Sequence, residues 1–68
     1  MPPAGQPGGR EIYVEFLQQG GFIKATAIDP TTGIEASILG PSGAAREALS
    51  AAAVRKLQFV LKRKNGGG

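Results

Sequence analysis

Asp29-Pro30-Thr31-Thr32-Gly33 is the strongest local signal in this chain, and the fold follows from it in both directions. Proline presets φ for the first central position of a turn. The aspartate side chain caps the turn's backbone, and glycine supplies a positive φ before the next segment. Residues 22–29 (Phe-Ile-Lys-Ala-Thr-Ala-Ile-Asp) precede the turn and residues 34–39 (Ile-Glu-Ala-Ser-Ile-Leu) follow it; both read as strands. Upstream, residues 11–18 (Glu-Ile-Tyr-Val-Glu-Phe-Leu-Gln) are rich in β-branched and aromatic side chains, are followed by Gly20-Gly21, and read as a further strand.

The side-chain pattern suggests a register. The first two strands join through Gln19-Gly20 or a slightly longer turn, and a two-residue loop at Gln19-Gly20 pairs Phe16 with Ile23, Val14 with Ala25 and Ile12 with Ala27. The other face then sets Leu17 beside Phe22, Glu15 beside Lys24 and Tyr13 beside Thr26. One face becomes apolar and the other gains an opposite-charge pair. Ile34, Ala36 and Ile38 share the parity of the apolar face, so the three strands are expected to form an antiparallel meander.

Gly40-Pro41-Ser42-Gly43 closes the sheet, with Ser42 the expected N-cap. Residues 44–64 read as a helix, dense in Ala, free of Gly and Pro, with cations in the last turns where the macrodipole favours them. At helical spacing Leu49, Ala53, Leu57, Val60 and Leu61 form one stripe, with Val54 at its margin. That stripe is expected to cover Ile12, Val14, Phe16, Ile23, Ala25, Ile34 and Ile38. The small residues Ala25, Ala27, Ala36 and Ala53 would let the helix lie close. The expected fold class is α+β: a βββα chain, a three-stranded antiparallel meander with one C-terminal helix packed on one face.

Composition narrows the function. The 68 residues include eleven Gly and five Pro, concentrated at the ends. Residues 1–9 and 65–68 read as disordered tails around a single domain at 10–64, near the lower size limit for one core. There is no Cys and no His. Disulfides, Cys/His zinc sites and Cys- or His-based catalysis are thereby excluded. No catalytic residue, cofactor or metal ligand is expected, and the chain reads as non-enzymatic. Gly40-Pro41-Ser42-Gly43 lacks the Lys and the spacing of a phosphate-binding loop. No apolar run approaches the roughly 20 residues of a membrane span, and the N-terminus lacks the pattern of a secretory signal. A cytoplasmic protein is expected.

Two surfaces stand out. The sheet face without a helix is expected to carry Tyr13, Leu17, Phe22, Ile28 and Leu39. Apolar patches of this kind mark interaction sites, and so small a core gains from burying a second face. Self-association as a symmetric homodimer is the expected use, with another protein as the alternative partner. Edge strands, at 11–18 or 34–39, offer another route to pairing with a second copy. The other surface is a basic patch on the helix. Residues 55–64 hold Arg55, Lys56, Lys62, Arg63 and Lys64 with no acid, whereas the rest of the chain has three cations against five acids. Phe59 lies off the core stripe, with Arg55, Lys56, Lys62 and Arg63 around it. An aromatic ring among cations suits nucleic acid, with stacking on a base and contacts to phosphates, or an anionic membrane surface. Packing of Phe59 against the sheet or a partner, under long basic stems, is the competing reading.

Arg-Glu-Ile-Tyr-Val-Glu-Phe (10–16), Lys-Ala-Thr-Ala-Ile-Asp-Pro-Thr-Thr-Gly (24–33) and Ala-Val-Arg-Lys-Leu-Gln-Phe-Val-Leu (53–61) together resemble a family of short alphaproteobacterial proteins of unknown function. That family combines a Glu-hydrophobic strand, an Ala-Ile-Asp-Pro-x-Thr-Gly turn and a C-terminal Lys-Leu-x-x-Val-Leu helix. The resemblance implies a bacterial, cytoplasmic protein and supplies no functional residues. Some members bear the label serine hydroxymethyltransferase, which a chain this short, with no His and no room for pyridoxal phosphate, does not support. In layout the chain is also similar to the C-terminal part of double-stranded-RNA-binding domains and to three-stranded DNA-binding domains. The first place a Lys-Lys pair where this chain has Ala44-Ala45-Arg46-Glu47. The second carry basic residues on the open sheet face, where this chain has Lys24 among Glu11, Glu15 and Glu35.

Overall fold

The structure, a computed structural model, describes residues 11–65. Strands β1 (Tyr13–Gln19), β2 (Phe22–Ile28) and β3 (Glu35–Pro41) are followed by one helix, α1 (Arg46–Asn65). The sheet runs β1-β2-β3 with both pairs antiparallel, so the fold is the expected α+β, βββα arrangement. The tails expected at 1–9 and 66–68 lie outside the described residues, while Asn65, expected in the second tail, closes α1.

The Asp29–Gly33 turn is a closed hydrogen-bond network. Asp29 Oδ1 accepts the Thr31 N–H at 3.0 Å and Oδ2 accepts the Thr32 hydroxyl at 3.1 Å. Thr32 Oγ1 in turn accepts the Ile34 N–H at 3.2 Å. The backbone closes around them: the Gly33 N–H donates to the Asp29 carbonyl at 2.7 Å, and the Asp29 N–H to the Ile34 carbonyl at 2.9 Å. Gly33 has φ 78°, the left-handed region open to glycine. The Asp29 side chain is fully buried, and a buried carboxylate is tolerable only when hydrogen-bonded in this way.

The first hairpin differs from expectation by two residues. Its loop is Gly20-Gly21, so Gln19 pairs with Phe22, Leu17 with Lys24, Phe16 with Ala25 and Val14 with Ala27. Gly20 has φ 58° and Gly21 does not share the positive φ, the pattern of a type II′ turn. A loop at Gln19-Gly20 would have forced a glutamine into that first position. A slip of two leaves every side chain on its expected face. It does undo the Glu15–Lys24 partnership: Glu15 lies across from Thr26 and Lys24 from Leu17.

The chain also reaches α1 differently. β3 extends through Gly40 and Pro41, the latter tolerated because β3 is an edge strand. The Ala44 N–H then donates to the Pro41 carbonyl at 2.9 Å, making a turn of 41–44 that uses up the expected capping segment. The first helical bonds run from Ala48 and Leu49 to the Ala45 carbonyl, both at 3.1 Å, so Ala45 and not Ser42 occupies the N-cap. Glu47 in the first turn and Lys62, Arg63 and Lys64 in the last complement the helix dipole.

The core comprises Ile23, Ala25, Ala27, Ala36, Leu49, Ala53, Leu57 and Leu61, with Ile12, Val14, Ile34, Ile38, Ala44 and Val54 partly buried against it. Phe16, expected within it, is 38% exposed. The reason is lateral: α1 packs on β3 and β2 and scarcely reaches β1. Phe16 faces the helix side near the start of α1, where the Arg46 guanidinium lies 5.4 Å from its ring centroid. The seating of α1 depends on Gly40, where an added Cβ would lie 2.5 Å from Leu49 Cδ2.

Two stability measurements check this packing. Gly40→Val is expected to lower the unfolding free energy by about 1–3 kcal/mol, as overpacking against a buried leucine does, seen as a lower denaturation midpoint. Ala45→Asp is expected to raise it by about 0.5–1 kcal/mol through a new N-cap, whereas Ser42→Ala is expected to change it little.

Candidate interaction surface

The register fixes what the helix-free face presents. Going from the hairpin loop, its cross-strand rows are Gln19–Phe22–Pro41, Leu17–Lys24–Leu39, Glu15–Thr26–Ser37 and Tyr13–Ile28–Glu35. At the loop end Leu17 and Leu39 flank Lys24 in one row and Phe22 stands in the next, and these apolar side chains are 52%, 64% and 58% exposed in that order. Tyr13, also exposed, and Ile28, half-buried, form a smaller group at the opposite end. The row between them is polar. Thr26 Oγ1 and Ser37 Oγ share a hydrogen bond of 2.8 Å, and Thr26 is buried even though no helix covers it. The five expected residues therefore share one face but form two groups. A shallow depression of about 600 Å³ lies between them, lined by Glu15, Phe16, Leu17, Lys24, Thr26 and Glu35.

Charge is mixed across this face. Lys24 stands among Glu15 and Glu35, with Glu11 near the far end, where its Oε1 lies 3.4 Å from the Tyr13 hydroxyl. At that length the Tyr13–Glu11 hydrogen bond is weak. Among the described residues no group of three or more His, Cys, Asp or Glu side chains is placed to hold a metal ion.

The basic patch is exposed along its whole length: Arg55, Lys56, Phe59, Lys62 and Arg63 all face solvent. Phe59 is 59% exposed and, among the described residues, belongs neither to the core nor to the apolar side chains packed against it. Two of its cations already have partners in the fold. The Arg63 guanidinium lies over the Phe59 ring at 5.6 Å, and Lys56 Nζ donates to the Ser37 carbonyl of β3 at 2.8 Å. No helix among the described residues is long and apolar enough to cross a membrane.

A groove beside Phe16 joins residues far apart in the sequence. Phe16, Arg46, Glu47 and Ser50 line an open groove of about 540 Å³ between β1 and the first half of α1. The exposed small residues Ala45 and Ala48 beside it hint that this part of α1 leaves the sheet, but only the lateral position of the helix reveals the groove.

These features define a small βββα module with one bare sheet face and one barely covered strand. The chain belongs to the family described as Domain of unknown function (DUF6898), which it matches over residues 9–64. No curated protein and no solved structure matches it.

Proposed function

We propose that this protein is a small, non-enzymatic interaction module that associates with a second copy of itself through the helix-free sheet face. Its resemblance to short alphaproteobacterial proteins supports a place in the bacterial cytoplasm. The observation that carries the reading is the exposed Leu17–Phe22–Leu39 cluster on a chain whose buried core contains four alanines and few large side chains. Burying a second face adds apolar area that the chain cannot supply alone.

A second copy suits this surface better than a nucleic acid does. The depression holds Lys24 together with the carboxylates of Glu15 and Glu35, a mixed charge that a second copy of the same face can complement. Phosphates would meet those same carboxylates unfavourably. The alternative, nucleic-acid binding along the basic face of α1, is supported by the exposure of Phe59 but weakened by the engagement of Arg63 and Lys56 within the fold.

Sedimentation at tens of micromolar is expected to give an assembly heavier than one chain. Leu39→Glu should lower that mass at the same concentration by placing a charge in the apolar cluster. A wild-type protein that sediments as a single chain would overturn the proposal.

A further inference from the structure

Among the described residues the sheet has two free edges, and the fold treats them differently. Along β3, Lys56 Nζ occupies the Ser37 carbonyl and Pro41 removes a backbone donor, both devices that stop a further strand from adding. β1 has neither. Its seven residues include no proline and no cation, and among the described residues nothing pairs with its outer side. Because α1 lies over β2 and β3, every β1 residue except Val14 is exposed. An edge strand left largely exposed on both faces is a template for another strand.

The ladder shows which β1 groups are free. In antiparallel pairs successive residues alternate between facing the partner strand and facing away. Ser37 offers its carbonyl to Lys56 and so faces away from β2; its partner Thr26 therefore bonds toward β1. Glu15, opposite Thr26, faces β2, as do Tyr13, Leu17 and Gln19. Val14, Phe16 and Gln18 direct their N–H and C=O groups to the open edge.

We infer that this edge pairs with β1 of a second copy, antiparallel about a two-fold axis that sets Phe16 opposite Phe16. Phe16 is the midpoint of Tyr13–Gln19, so this register alone overlaps the whole strand. Its backbone faces outward, so the central pair exchanges both hydrogen bonds. Glu15 falls opposite Leu17, whereas a register centred one residue earlier would oppose two Glu15 carboxylates. On the helix side the two Phe16 rings meet, each beneath an Arg46 guanidinium. Arg46, Glu47 and Ser50 line the groove beside each ring. Two three-stranded sheets become one continuous sheet. This interface is separate from the helix-free face, and either can exist without the other.

The test uses full-length protein carrying Leu39→Glu, which disables the face. Sedimentation of that protein at up to millimolar concentration is expected to show a two-chain species. Adding Gln18→Pro removes an outward N–H without touching the β2 ladder, and should return a single chain. Adding Gln18→Thr instead, which keeps the N–H, should leave the pair intact. Phe16→Lys gives a second variant with an unaltered backbone, opposing like charges at the axis, and should also return a single chain. Far-UV circular dichroism checks that each variant is folded. A Leu39→Glu protein that stays a single chain throughout would overturn the edge interface and leave the face proposal standing. A pair that survives both Gln18→Pro and Phe16→Lys would overturn it as well.

Discussion

The close approach of α1 to β2 and β3 is the constraint on which the rest of the structure depends. Ala25, Ala27 and Ala36 give the sheet a shallow floor there, Ala53 does the same for the helix, and Gly40 leaves room for Leu49. With so little side-chain volume between the layers, the helix settles where the small residues are. An α-helix with its side chains is about 10–12 Å across and strands are about 4.8 Å apart. A helix centred between β2 and β3 reaches about 5–6 Å to each side, short of β1 at about 7 Å. The exposure of Phe16, the groove beside Arg46 and the bare edge of β1 all follow from that width.

The two turns make this seating possible. The buried Asp29 network fixes how β2 passes into β3, and the Gly20-Gly21 loop fixes β1 against β2. Neither turn has slack to change register, because each has one glycine at positive φ and a defined set of backbone partners. The sheet is thus specified locally, and α1 selects which part of it becomes core.

Most of the fold was legible in the residues themselves. Asp29-Pro30-Thr31-Thr32-Gly33 marks the second turn, alternation marks the strands, and of the expected stripe Leu49, Ala53, Leu57 and Leu61 are buried while Val60 is half-buried. The first hairpin was misplaced by two because either Gln19-Gly20 or Gly20-Gly21 provides a two-residue loop with glycine. The distinction lies in which position takes the positive φ. An even slip preserves the faces, so the apolar set Tyr13, Leu17, Phe22, Ile28 and Leu39 stayed on one side while its division by Glu15, Thr26 and Ser37 went unseen. Phe16 was misassigned for a different reason. Periodicity tells which face of a strand looks toward a helix, but not how far sideways that helix extends. The same limit hid the Lys56 contact with Ser37, which joins residues far apart in sequence and distinguishes one edge of the sheet from the other.

Hydrogen exchange resolved by residue tests most directly whether α1 covers two strands and leaves β1 open. At the lowest concentration measurable, the Ile23, Ala25 and Ala27 amides, which bond to β3 beneath the helix, are expected to be strongly protected. The Val14, Phe16 and Gln18 amides on the free edge are expected to exchange close to the rate of an unstructured chain. Equal protection of the two sets at every concentration would contradict the account, because something other than a second copy would then be covering β1.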